Sequence, residues 1–369
     1  MRLSFDEGLR LLTVAPLPEL QAMAQTIRFE KHPNKVVSFV LDSNPNYTNI
    51  CDIDCTFCAF FRKKGAKDAY MKSPEEVMAH FDFARRAGIK TVLLQGGVHE
   101  GVTVEYLASL VKLARERYPD IHPHFYSAVE IWNAAKVSGV SVQTALQALW
   151  DAGQRTIPGG GAEILSERVR LKISPKKIGP GGWLGVHTTA HQIGFKTTAT
   201  MMYGHIERLE DIVEHLEAIR CAQDSNPGFS AFVPWSYKKT NTALRRIAKR
   251  WAGPEAYFRI LAFSRVYLDN FNTIAASWFS EGKEVGMQAL QYGADDFGGT
   301  ILEENVHRAT DFINKTDHNG MLQMIRGAGF EPAQRDSFYR IIQRYDGVDS
   351  VYVPEAGRVQ EADHIQLVL

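Results

Sequence analysis

The chain has 369 residues, 45% of them hydrophobic, which is enough for a large core. Lysine plus arginine and aspartate plus glutamate both number 42, so the formal net charge is zero, and a general nucleic-acid binder, which needs a basic surplus, is not expected. No apolar run approaches the ~20 residues of a membrane span, and Asp6 and Glu7 interrupt the N-terminus too early for a signal peptide, so a cytoplasmic protein is expected.

Residues 1–35 read as a helical lead-in, with Phe5, Leu9 and Leu12 on one side, a break at Pro16 and Pro18, and a short second helix over Leu20–Ile27. Val36–Leu41 is a short β-branched run closed by Asp42-Ser43-Asn44-Pro45, the pattern of a strand. A cysteine-bearing loop follows, then the basic run Arg62–Lys67, which reads as a solvated face or a docking patch for an acidic reductant. Ser73-Pro74-Glu75-Glu76 predicts a capped helix start, and Gly88 its end. Thr91–Gln95 is the second strand, ending in Gly96-Gly97; His122–Ser127 is the third and Arg155–Pro158 the fourth. Thr197–Met202, Phe229–Trp235, Thr273–Trp278 and Asp295–Gly299 complete the set, and helical patterns separate most neighbours. Eight strand–helix alternations predict a (β/α)8 TIM-type barrel. The expected organisation is a lead-in over 1–35, a barrel over 36–308 and a helical C-terminal extension over 309–369, with Phe338, Ile341, Ile342 and Tyr345 on one helical face.

Three of the four cysteines, Cys51, Cys55 and Cys58, fall in the loop after the first strand, spaced C-x3-C-x2-C. Thiolates are the usual ligands of iron–sulfur clusters, and a cubane normally takes four. A tight run of three predicts a 4Fe–4S cluster with one iron open to a small molecule. Zinc usually wants paired C-x2-C motifs or added histidines, and neither is near. The remaining cysteine, Cys221, reads as a small buried hydrophobe. Gly96-Gly97 is either a tight turn or a backbone surface for a ligand. Gly159-Gly160-Gly161 suggests close approach to a ligand, yet no GK[ST] follows to make a P-loop. Glu163 beside it is either a helix-cap carboxylate or a hydrogen-bonding group, and Arg168 either pairs a carboxylate or lies on a helix. Further strand ends supply Ser127, His205, Trp235, Ser277, Asp296 and Gly298, a polar and aromatic rim suited to a ring-bearing polar substrate. His205 is the natural candidate for proton transfer near neutral pH.

The cysteine spacing, with Phe57 just before the third cysteine, resembles the radical S-adenosylmethionine (SAM) superfamily. A narrower set of runs is similar to the cyclic dehypoxanthine futalosine synthase family of menaquinone biosynthesis. They are Asn46–Ile50, Leu94–Gly97, Ile157–Leu165, Thr200–His205, Phe232–Trp235, Asp296–Thr300 and Glu303–Asn305. This resemblance runs from about Val36 to Arg308, continues weakly to about Arg340, and leaves Tyr352–Leu369 unmatched. It implies a 4Fe–4S cluster on Cys51, Cys55 and Cys58. SAM is then placed against Phe57, Gly96, Gly97 and Glu163, with Arg168 beside them. The implied substrate is dehypoxanthine futalosine, with flavodoxin or ferredoxin as electron donor. In the implied reaction a 5′-deoxyadenosyl radical takes the ribose 4′ hydrogen, the carbon radical closes onto the benzoate ring, and an electron and a proton leave; His205 or Glu163 would serve as base. Aminofutalosine synthase, which adds the adenosyl radical to its substrate, and a non-catalytic iron–sulfur carrier are the alternatives.

Overall fold

The computed structural model describes residues 2–248, 252–300, 302–345 and 347. Two helices lead in, α1 (Phe5–Val14) and α2 (Leu17–Lys31). Pro18 lies in the first turn of α2, where a missing N–H costs no hydrogen bond, so it starts that helix instead of breaking one. The barrel then runs β1 (Val36–Val40), β2 (Asp42–Ser43), α3 (Pro74–Arg86), β3 (Thr91–Leu94), α4 (Val104–Arg117) and β4 (His122–Phe125). It continues with α5 (Ala128–Val137), α6 (Val142–Asp151), β5 (Thr156–Ile157), α7 (Glu167–Ile173), α8 (Pro180–Ile193), β6 (Lys196–Tyr203) and α9 (Leu209–Ser225). The last turns are β7 (Phe229–Ser236), α10 (Pro254–Tyr267), β8 (Thr273–Ile274), α11 (Trp278–Glu281), α12 (Lys283–Ala289) and β9 (Asp296–Gly299). After them come α13 (His318–Gly327), β10 (Glu331–Arg335) and β11 (Ile341–Arg344).

Strands β2 to β8 form a parallel sheet in sequence order, and β1 runs into β2. On its other edge β1 pairs in parallel with β9, and a bridge between Ala275 and Asp296 joins β8 to β9. Counting β1 and β2 as one, eight parallel strands close a (β/α)8 barrel. Parallel strands need crossovers that cover both faces, hence their nearly continuous burial: in β6 seven of eight residues are buried or half-buried, with only Lys196 exposed. The barrel's strand ends deliver the loops that carry the site.

Two sequence expectations change. The segment with Phe338, Ile341, Ile342 and Tyr345 is not helical: the expected helix stops at Gly327, and β10 and β11 form an antiparallel hairpin. β10 pairs in parallel with β1, Val36 opposite Glu331 through Phe39 opposite Gln334, so free strand edge in the barrel overrides the local apolar spacing. Residues 352–369 lie outside the described residues. Ser127 does not end a strand. β4 stops at Phe125, and Ser127 caps α5 in a capping box with Glu130.

Candidate active site at the carboxyl ends of the strands

Each side chain of the Asn46–Asn49 run anchors the cysteine loop. Asn46 Nδ2 donates to Gln95 O at 2.9 Å, and Tyr47 Oη donates to Glu130 Oε1 at 2.8 Å. Thr48 Oγ1 donates to Tyr70 O at 2.7 Å, and Asn49 Nδ2 donates to Asp68 O at 2.8 Å. Beyond them the loop is pinned through its backbone: Asp52 N donates to Val98 O at 2.8 Å, Thr56 N to Ile173 O at 2.9 Å, and Leu244 N to Thr56 O at 2.7 Å. Asp54 takes a left-handed φ of 46°, which turns the chain between the first two cysteines. Cys55 is buried, and Cys51 and Cys58 are half-buried. Burial pushes the Cys55 thiol up to about 12, against the pull of the Lys177 ammonium. Cys58 is raised by burial too, and the charge of Cys51 adds to the rise at both Cys55 and Cys58. Among the described residues no three such side chains converge on a single metal ion. Three clustered thiols on one pinned loop instead fit a cubane, whose ligands stand on separate irons.

A cavity of about 390 Å³ opens beside this loop, within the range of small-molecule sites. Phe57, Gln95, Gly159–Gly161 and Glu163 form one side; Trp235, Ser277, Phe279, Ser280, Glu304 and His307 form the other. Glu163 has a left-handed φ of 49° and accepts from Lys177 Nζ at 2.6 Å, a pair that is almost fully buried. Burial alone would lower the Lys177 pKa, yet the field of Cys55 and Glu163 raises it, so the ammonium stays charged. Its Nζ also lies 5.0 Å from the Phe57 ring centroid. Below, Asp296 holds Arg335 through both carboxylate oxygens, and the Arg335 guanidinium lies 3.8 Å from the Tyr339 ring centroid. The C-terminal hairpin thus supplies part of the cavity floor.

A family model of the radical SAM superfamily matches residues 45–219, the half that carries the cysteine loop and the glycine run. The chain belongs to the radical SAM superfamily. A second model, described as the CofH/MqnC C-terminal region, matches residues 226–346. A cyclic dehypoxanthine futalosine synthase of Halalkalibacterium halodurans is 38% identical over 94% of this chain and 93% of its own. An aminodeoxyfutalosine synthase of Thermus thermophilus is 36% identical over 95% of both chains. A second cyclic dehypoxanthine futalosine synthase, from Streptomyces coelicolor, is 34% identical over 94% of this chain and 87% of its own. In fold the chain matches a crystal structure of methylornithine synthase with a TM-score of 0.70 at 15% identity, covering 90% of this chain and 95% of that one. The cofactors of this radical SAM protein are therefore a 4Fe–4S cluster and SAM, which the three thiols and the adjoining cavity fit.

Of the residues singled out from the sequence, Phe57, Glu163, Trp235, Ser277, Asp296 and Gly298 line the cavity of this radical SAM barrel. Ser127, Arg168 and His205 do not. Arg168 lies on α7, is held by Asp211 and donates to Ile206 O, so both of its readings hold. His205 is buried: Nε2 bonds Met202 O at 3.1 Å, and Nδ1 accepts from Ile206 N at 2.8 Å with Glu207 Oε2 3.0 Å away. Gly96 and Gly97 also sit off the cavity wall. A Cβ on Gly96 would meet the Tyr47 ring at 2.7 Å, and one on Gly97 the Ile50 carbonyl at 2.1 Å. The close approach these glycines permit is that of the cysteine loop itself. The glycine run behaves similarly, since a Cβ on Gly159 would lie 2.4 Å from Thr198 O, but this run does face the cavity. Cys221 is exposed, not buried, and its thiol contacts Glu217 Oε1 at 3.5 Å: it falls on the outer face of α9.

Several residues were missed. Glu130 is buried and accepts from Ser127, Tyr47 and Gly96, tying α5 to the cysteine loop; the Ser127-x-x-Glu130 capping pattern signals it. Burial raises its pKa, and those hydrogen bonds oppose the rise. Lys177 and His307 carry no local signal, since their roles come from what the barrel brings against them.

Proposed function

We propose that this protein is a cyclic dehypoxanthine futalosine synthase of the futalosine route to menaquinone, acting in the cytoplasm and reduced by an acidic one-electron donor such as flavodoxin or ferredoxin. The observation that carries the reading is the two-sided cavity beside the cysteine loop, in a chain alignable almost end to end with two proteins of that name. The cluster and SAM together supply a 5′-deoxyadenosyl radical. Cys51, Cys55 and Cys58 hold the cluster, while Phe57 and Glu163, the latter tied to Lys177, line the SAM side, where the Glu163 carboxylate takes the ribose hydroxyls. Trp235, Ser277 and Gly298 form the side that takes dehypoxanthine futalosine. The chain's work is to hold the ribose 4′ carbon and the benzoate ring close together in a dry cavity, which is catalysis by positioning.

The aminodeoxyfutalosine synthase relative stands at 36% identity against 38% for the first cyclic synthase, so product analysis decides between the two chemistries. A cyclase releases the adenosyl group as 5′-deoxyadenosine, and an adding enzyme keeps it in the product. With adenine-labelled SAM and substrate deuterated at the ribose 4′ carbon, all label is expected in 5′-deoxyadenosine, which also gains the deuterium. Label in the aromatic product would overturn the reading.

A further inference from the structure

Restoring the aromatic ring requires a base, and the geometry singles one out among the cavity's titratable groups. His124 lines the cavity, but its Nδ1 bonds Thr156 Oγ1 at 2.7 Å, and burial pushes its pKa down to about 3. Glu163 is tied to Lys177, and Asp296 is tied to Arg335, whose guanidinium also covers the Tyr339 ring and lies in the field of Asp42. His307 differs. Its ring stands between Phe279, 4.9 Å away centroid to centroid, and Trp235, at 5.5 Å, and both of these also line the cavity. Nε2 lies 3.1 Å from the hydroxyl of Ser280, itself a cavity residue, and Nδ1 lies 3.7 Å from Glu304 Oε1. Glu304 is fixed in turn, accepting from Val306 N at 2.9 Å and His307 N at 2.8 Å. An imidazole with a hydroxyl on one nitrogen and an oriented carboxylate near the other is the arrangement of a positioned base.

We propose that Ser280, His307 and Glu304 form a proton relay in the cavity wall, with His307 Nε2 the acceptor of the proton that the cyclised substrate loses. The inference rests on the cyclase reading. With the Nδ1 proton directed at Glu304, Nε2 carries the lone pair and the Ser280 hydroxyl donates to it. In the step, the substrate C–H bond breaks and its electron pair joins the five π electrons of the ring radical. One electron leaves to an acceptor of the iron–sulfur class, and six remain. The proton reaches Nε2 directly or by exchange through the Ser280 hydroxyl, and Glu304 stabilises the resulting imidazolium.

The test uses cluster-loaded full-length protein, SAM and substrate deuterated at the ribose 4′ carbon. His307→Ala and His307→Gln are expected to keep cleaving SAM and to deliver deuterium into 5′-deoxyadenosine. Cyclic product per 5′-deoxyadenosine should fall at least ~10²-fold, the lower range for loss of a general base. Free imidazole should restore part of it in His307→Ala and none in His307→Gln. Ser280→Ala should lower the same ratio by a smaller factor, and it carries the test if the histidine variants fail to load iron. An unchanged product ratio in the variants, or a lowered ratio in His307→Ala that imidazole leaves unmoved, overturns the relay. Wild-type protein that transfers no deuterium overturns the cyclase reading instead, and the relay with it.

Discussion

Gly97→Ala tests whether the cysteine loop is shaped by its packing against the end of β3. A Cβ at this position would stand 2.1 Å from Ile50 O, 2.7 Å from the carbonyl carbon and 2.9 Å from Cys51 Cβ. Non-bonded carbon contacts relax only near ~3.5 Å, so the Ile50–Cys51 backbone has to withdraw by roughly 1 Å. Neighbouring hydrogen bonds resist that movement: Gly97 N donates to Thr48 O at 3.0 Å and Cys51 N to Arg62 O at 3.0 Å. Overpacking of this kind costs about 1–3 kcal/mol. The larger effect is on the ligand set, since a preorganised site tolerates displacements of only ~0.5 Å. Cluster occupancy, measured as iron and sulfide per chain after anaerobic reconstitution, should fall well below wild type although all three thiols remain. Gly181→Ala is the control. It lies in the first turn of α8 with nothing within 4 Å of the added carbon, and it should load fully and gain up to ~1 kcal/mol in stability. Full iron content in Gly97→Ala, with an unaltered paramagnetic response to SAM, would refute the packing argument.

Two further predictions concern stability. Arg335→Met leaves the fully buried Asp296 without its guanidinium and should cost ~3–5 kcal/mol by urea unfolding; adding Asp296→Asn should recover much of it, and a single variant within ~1 kcal/mol of wild type would show the pair to be dispensable. Burial holds His215 down at about 3 and His122 and His191 at about 4, whereas unfolded histidine titrates near ~6.5. Between those limits the unfolded chain binds the extra protons, so stability is full above about pH 6.5 and is lost as the pH falls towards 4. Each histidine contributes a slope of ~1.4 kcal/mol per pH unit, or ~2 kcal/mol by pH 5. His215→Gln should reduce the difference in urea midpoint between pH 7 and pH 5, and an unreduced difference would remove His215 from the account.

The barrel was legible because its signals are local. A β-branched run, a glycine stop and a capped helix recur down the chain, and they place even the two-residue strand Thr156–Ile157. The cysteines were legible because their spacing is chemistry in itself. What escaped depends on distant partners. Ile341 and Ile342 have helical spacing with Phe338 and Tyr345, and only the open edge of β1 makes this segment a hairpin. His205 follows a strand as a catalytic group would, yet its ring folds back onto Met202 and Ile206. His307 has no motif of its own, because Ser280 and Trp235 reach it from other turns of the barrel.

The insertion of β10 beside β1 imposes an order in time. During synthesis the cysteine loop leaves the ribosome early, while the strand that covers the lower edge of β1 is among the last described segments to emerge. Until it does, β1 offers unpaired backbone groups to any passing strand, and Arg335 and Tyr339 are missing from the floor of the cavity.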